Sequence, residues 1–132
     1  MSLPRRGSFV LDASAVLAEA FGERGADAVH GAIPGGVVST VNWSEVVQKS
    51  TSRGADVAPF LRRLQVSGLR LVPFSALHAR TAAELWPTTR HFGISLADRA
   101  CMALAIDLGL PILTADRRWT ELDLPVAVES IR

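Results

Sequence analysis

Residues 8–21 read Ser8-Phe9-Val10-Leu11-Asp12-Ala13-Ser14-Ala15-Val16-Leu17-Ala18-Glu19-Ala20-Phe21, and this stretch decides the fold. A short apolar run stops at an acid, and helix-favouring residues follow at once. The run, Ser8 to Leu11, is too short for a helix and reads as a buried strand. Ala13 to Phe21 reads as a helix ended near Gly22.

The same alternation continues along the chain. A second short helix is expected over about Gly25 to His30, then a turn at Ile33-Pro34-Gly35-Gly36 and a strand at Val37 to Ser39. Asn42 is expected to open a helix running to about Arg53, with Gly54 as its stop. Asp56 is placed to cap a helix from Val57 to Val66, which ends before Gly68. Leu69 to Phe74 includes Pro73, which suits an edge strand. Helices are expected from Ser75 to about Trp86, broken at Pro87, and from Leu96 to Leu108, closed by Gly109. Pro111 to Thr114 reads as a strand, Asp116 to Thr120 as a turn or short helix, and Val126 to Val128 as a last strand after Pro125. Short strands separated by helices indicate an α/β fold whose mostly parallel sheet is covered on both faces. In such a sheet, ligands bind at the carboxyl ends of the strands.

Composition sets the bounds. A chain of 132 residues suits a single domain over 1–132, and 48% hydrophobic residues are enough for one packed core. Apolar content dominated by Ala, Val and Leu, with no Tyr, favours helices on a sheet over an aromatic-rich sandwich. A net charge of +1 gives no bulk preference for nucleic acid, so any basic patch is local. The lone Cys101 excludes an internal disulfide and a thiolate-rich zinc site. The opening MSLPRRGSFV has two arginines but no apolar stretch of signal-peptide length, and no segment approaches ~20 apolar residues. A soluble, cytoplasmic protein with no membrane association is expected.

Acids then stand out by position. Asp12 and Asp116 follow apolar runs where strands emerge, while Glu45 and Asp98 are embedded in apolar sequence. Each has an ordinary reading. Asn42-x-x-Glu45 and Ser95-x-x-Asp98 have capping-box spacing, and Asp12 and Asp116 suit helix or turn caps. Brought together in a partly dehydrated cleft, however, the carboxylates would repel one another and their pKa values would rise unless a cation compensated. Mg²⁺ or Mn²⁺ is the natural compensator, because hard cations choose oxygen ligands and keep waters that a phosphodiester hydrolase needs.

Asp12-Ala13-Ser14 after a strand, Asn42-x-x-Glu45, Ser95-Leu96-Ala97-Asp98 and Leu113-Thr114-Ala115-Asp116 together resemble the PIN domain family, and most of all its VapC-type toxin branch. The resemblance covers essentially the whole chain. It implies a three-layer α/β/α sandwich with four or five short strands and a Mg²⁺- or Mn²⁺-dependent endoribonuclease activity on RNA. It also implies a homodimer neutralised by a small antitoxin encoded beside it. By motif position, Asp12, Glu45, Asp98 and Asp116 would be the catalytic acids. Asp12 and Asp98 would hold metal, and Asp116 would do so through water. Ser14, Asn42, Thr114 and, more weakly, Ser95 would be polar supports.

Arg117 and Arg118 beside Asp116 are candidates for RNA or antitoxin contact, with solvated surface arginines as the plain alternative. Trp119 is expected to pack the C-terminal segment on the sheet, and Cys101 to be a small core residue. His30, His78 and His91 have no metal-ligand spacing. Other functions compete: a PIN-domain RNA-processing nuclease without antitoxin, a phosphotransfer enzyme, and a non-catalytic interaction module. A phosphatase would want an acid where Ser14 stands, and a receiver domain a strand-end Lys, whereas the only Lys, Lys49, falls in a predicted helix.

Overall fold

The computed structural model describes residues 8–132. Arg5 and Arg6, on which the signal-peptide reading rests, lie outside the described residues. Five strands form one sheet: β1 (Val10–Leu11), β2 (Val37–Ser39), β3 (Arg70–Val72), β4 (Ile112–Thr114) and β5 (Val128–Ser130). Their order is β3-β2-β1-β4-β5 and every pairing is parallel. The α/β fold is therefore the expected one, with a wholly parallel sheet.

Alternation along the strands builds both faces. Leu11, Val38 and Leu113 point to one side and pack with Val16 and Leu17 of α1 (Ala13–Phe21), Val29 of α2 (Ala26–Ala32), Val46 of α3 (Thr40–Ser52) and Leu64 of α4 (Ala58–Val66). Val10, Val37 and Ile112 point to the other side. There they meet Cys101, Met102 and Leu104 of α7 (Leu96–Leu108), together with Trp119. Helices α5 (Ala76–Glu84) and α6 (Trp86–Thr89) complete the order, with 3-10 turns at Arg90–Phe92 and Arg117–Glu121. Trp119 is 1% exposed, so it packs the last turn against the sheet as expected. Among the described residues, no helix is long and apolar enough to cross a membrane.

Several element limits differ from the sequence expectation, each for a local reason. Helix α3 starts at Thr40, not Asn42, because the Ser39 hydroxyl accepts from the Val41 amide and caps it there. Asn42 is therefore inside the first turn, and Asn42-x-x-Glu45 is not a capping box. Helix α5 ends at Glu84 and Pro87 sits in the first turn of α6, so the proline begins a helix rather than breaking one. Gly25 is the cap before α2, at φ 94°, where a Cβ would strike the Ile131 carbonyl at 2.5 Å. The last strand is Val128–Ser130, two residues beyond the expected start, since pairing with β4 matches Ile112 to Val128 and Thr114 to Ser130. Strand β3 is an edge strand, as Pro73 suggested, but stops at Val72 just before it.

Candidate active site

Parallel register decides who meets at the carboxyl edge. Val10 pairs with Ile112 and Leu11 with Leu113, so the next residues in step are Asp12 and Thr114. Val10 also pairs with Val37, which carries Ser39 to the other flank of Asp12. Asp12 is buried between these strands at 5% exposure, and it also caps α1. Its Oδ1 accepts from the Ser14 hydroxyl at 2.7 Å and the Ala15 amide at 3.0 Å, and its Oδ2 from the Thr114 hydroxyl at 2.8 Å. Ser14 Oγ in turn accepts from the Ala115 amide at 3.0 Å, tying the start of α1 to the loop after β4. Burial pushes the Asp12 carboxyl up to about 6; the hydrogen bonds oppose this only in part, and the Asp98 charge adds to it.

The remaining acids come from helix starts and a loop. A cleft of about 290 Å³ is lined by Asp12, Glu45, Asp98 and Asp116, with Ser14, Ser95, Lys49, Arg118 and Trp119 among its other walls. Asn42 is fully buried behind the lining. Its Nδ2 donates to the Ala97 carbonyl at 3.0 Å and to Glu45 Oε1 at 3.4 Å. One amide thereby pins the first turn of α3 to that of α7 and brings Glu45 towards Asp98. At the start of α7 the expected capping box forms: Ser95 Oγ accepts from the Asp98 amide at 3.1 Å, and the Ser95 amide donates to Asp98 Oδ2 at 2.9 Å. The Cys101 thiol, buried one turn below, is held well above its usual range by burial and by Asp12, Asp98 and Glu45 together. Three carboxylates act on that one thiol although they come from distant parts of the chain.

Asp116 departs from the expectation that crowding raises every acid. Arg118 lies on it, Nε to Oδ1 at 3.0 Å and Nη2 to Oδ2 at 2.6 Å, and lowers its pKa. The compensating cation at this corner is an arginine of the same chain. Arg118, the candidate for RNA or antitoxin contact, has its guanidinium engaged by Asp116 and by the Phe92 carbonyl. Arg117 is not among the cleft-lining residues, and its Nε donates to the Arg132 carbonyl. None of the histidines lines the cleft. His78 bonds Asp107, His30 bonds Glu19, and His91 accepts from Arg90.

Family comparison agrees with this geometry. Residues 9–124 match the PIN domain. The chain belongs to the PIN domain family. PIN domains are nucleases, which cleave phosphodiester bonds. No curated protein matches the chain closely enough to name a relative. Among solved structures, this PIN domain is similar to a toxin–antitoxin complex from Klebsiella pneumoniae, at 20% identity and TM-score 0.68, over 95% of this chain and 98% of that one. It is also similar to VapBC2 from Rickettsia felis bound to a promoter DNA fragment, at 16% identity and TM-score 0.68, over 92% and 97%. FitAcB from Neisseria gonorrhoeae follows at 19% and 0.67, over 93% and 97%. At these identities the likeness establishes the fold, a PIN-like layered sandwich.

Donor chemistry in the PIN-domain cleft suits a hard divalent ion. The acids offer oxygen only, and Asp12 is a buried carboxylate with no cationic partner among the described residues. Among those residues no three acid, His or Cys side chains form a ready-made cluster. Asp98 is turned onto the Ser95 amide and Asp116 onto Arg118, so a cation would have to recruit both from these bonds. A larger groove of about 430 Å³, holding Glu19, His30, Phe60 and Arg63, contains none of the cleft acids. The smaller cleft is the one that gathers the four acids.

Sequence reasoning missed Lys49 as a cleft residue. It lies four residues after Glu45 in α3, hence one turn on along the same face, and this spacing was legible once Glu45 was chosen.

Proposed function

We propose that this PIN domain is an endoribonuclease toxin, dependent on Mg²⁺ or Mn²⁺, cleaving RNA at the Asp12 cleft and neutralised by a small antitoxin. Asp12 carries the reading. It is a buried carboxylate at the strand ends, hydrogen-bonded on both oxygens yet without a cationic side-chain partner among the described residues. The toxin half draws support from the similar solved structures, which include toxin–antitoxin complexes. A divalent ion, when bound, supplies the charge that offsets the carboxylates and polarises a scissile phosphate.

The chain's own groups do the rest. Ser14 and Thr114 orient the Asp12 carboxylate, and Asn42 orients Glu45. Asp98, held at the start of α7 by Ser95, faces the same cleft. Glu45 is half-buried on the cleft wall, and its carboxylate is the group that would accept the proton from an attacking water. Lys49 forms no ion pair among the described residues and offers an ammonium to the RNA backbone from the cleft wall.

The deciding experiment incubates purified protein with defined RNAs and Mg²⁺ or Mn²⁺, with and without chelator, and maps new ends. Cleavage that needs the ion and disappears on adding the co-expressed antitoxin is expected; cleavage indifferent to chelation would sink the reading. Lys49→Ala is expected to raise KM for RNA about tenfold, with little change in kcat, and to reduce the log–log salt slope of binding by about 1. A fall in kcat alone would place Lys49 in another role.

A further inference from the structure

Arg118 is held more firmly than a surface arginine needs to be. Its Nε and Nη2 take one oxygen each of Asp116, its backbone amide donates to Oδ1 at 3.0 Å, and its Nη1 reaches the Phe92 carbonyl at 2.9 Å. Gly93 leaves the space for this: a Cβ there would stand 3.1 Å from Nη1, and its φ of +67° suits glycine. Three of the roughly four acceptor sites of the Asp116 carboxylate are thus filled by one residue of the same chain.

We propose that Arg118 is a built-in competitor for the metal: its guanidinium holds Asp116 and must leave before Asp116 can join a divalent ion. The inference rests on the metal-dependent reading of the cleft. A guanidinium and a divalent cation repel one another at the few ångströms that sharing one carboxylate would require. The side-on fork spans both oxygens, so little of the carboxylate is left facing the cleft. The pair is also openable. The arginine side chain is 55% exposed and the aspartate 28%, so water can take over from either partner as the fork opens. Arg118 therefore sets a threshold: the full ligand set assembles only when the ion binds well enough to displace it. It is a positioning residue, acting on Asp116 rather than on the substrate.

Mn²⁺ titration of the full chain, followed by calorimetry or by loss of the free-ion paramagnetic signal, tests this without reference to activity. Arg118→Ala is expected to bind Mn²⁺ about fivefold more tightly than wild type. Arg118→Lys should fall between, because an ammonium cannot bridge both oxygens in the same way. The gain should vanish when Asp116→Asn is added to Arg118→Ala, and Lys49→Ala, which removes the same charge from the same cleft, should give a smaller gain. Affinity unchanged or weakened in Arg118→Ala overturns the competitor, as does a gain that survives Asp116→Asn. If neither wild type nor Arg118→Ala binds Mn²⁺, or Asp12→Asn binds it equally well, the metal reading falls and the competitor falls with it. Mn²⁺ binding that needs Asp12 but ignores Arg118 sinks the competitor alone.

Discussion

Asp12→Asn is expected to lower RNA cleavage by more than about a hundredfold while making the metal-free protein more stable at neutral pH. The two effects have one cause. The folded carboxyl sits at about 6 against an ordinary 3.8, so the folded state holds the proton more tightly than the unfolded chain does. A group of this kind contributes stability that is complete below the unfolded value and is lost as pH rises through about 6. At pH 7.5 the ionised Asp12 therefore costs the fold about 3 kcal/mol. Asparagine is the neutral shape. Its oxygen can keep the bonds from Ser14 and Ala15, and the Thr114 hydroxyl can turn towards Ser14 Oγ, 3.4 Å away.

Thermal melts of wild type and Asp12→Asn without metal, from pH 4 to pH 8, check the sign. The variant should melt several degrees higher at pH 8, and the gap should close towards pH 4, where wild-type Asp12 is also neutral. Mn²⁺ should reverse the ranking at pH 7.5. An ion in thousandfold excess over its Kd stabilises the wild type by about 4.1 kcal/mol, more than the cost of the ionised Asp12, and has lost its principal ligand in the variant. A variant less stable than wild type at every pH would remove the argument that Asp12 is a buried charge awaiting a cation.

Much of this architecture was legible because it depends on period and punctuation. The apolar runs at Val10–Leu11, Val37–Ser39 and Ile112–Thr114, each followed by helical sequence, allow little besides a parallel sheet. Gly22 and Gly109, both left-handed, end α1 and α7 where expected. What was misread turned on a choice between neighbouring caps. Ser39 and Asn42 are both good capping residues, and the sequence does not say which amides are left unpaired; the end of β2 decides for Ser39. The last strand was misplaced because Val126 to Val128 is the more apolar stretch, whereas the sheet edge accepts Val128–Ser130 and leaves Glu129 exposed.

For the site, the acids were identifiable by their positions at strand and helix ends, but their partners were not. The fork between Arg118 and Asp116 depends on a rotamer and on space left by Gly93, 25 residues away in the chain, and no pattern of spacing reports that. Capping and cleft-lining also proved compatible rather than alternative readings. Asp12 caps α1 and Asp98 closes a capping box while both line the same cleft. A cap fixes a carboxylate at a helix start, and in a parallel sheet those starts lie along the edge where ligands bind.

Thr114→Val should lower Mn²⁺ affinity and cleavage by about 10- to 100-fold, though the residue need not touch ion or substrate. Thr114 is fully buried at the end of β4, and its hydroxyl donates to Asp12 Oδ2 at 2.8 Å while accepting from the Asp116 amide at 3.0 Å. Valine keeps the shape and removes both bonds. Asp12 Oδ2 then has no donor in a dry setting, so its ionised form becomes harder to hold and its orientation is lost. The Asp116 amide loses its partner too, and the loop carrying Asp116 and Arg118 loosens. Stability should fall by about 2 kcal/mol, the usual size for leaving such groups unpaired. Thr114→Ser separates the hydroxyl from the methyl. It restores both hydrogen bonds and gives up one buried methyl, so its stability loss of about 1 kcal/mol should come with cleavage within a few-fold of wild type. Equal losses of activity in the serine and valine variants would mean that packing at the strand end matters and the bond to Asp12 does not. Full activity in the valine variant would mean that Asp12 needs no orienting partner at all.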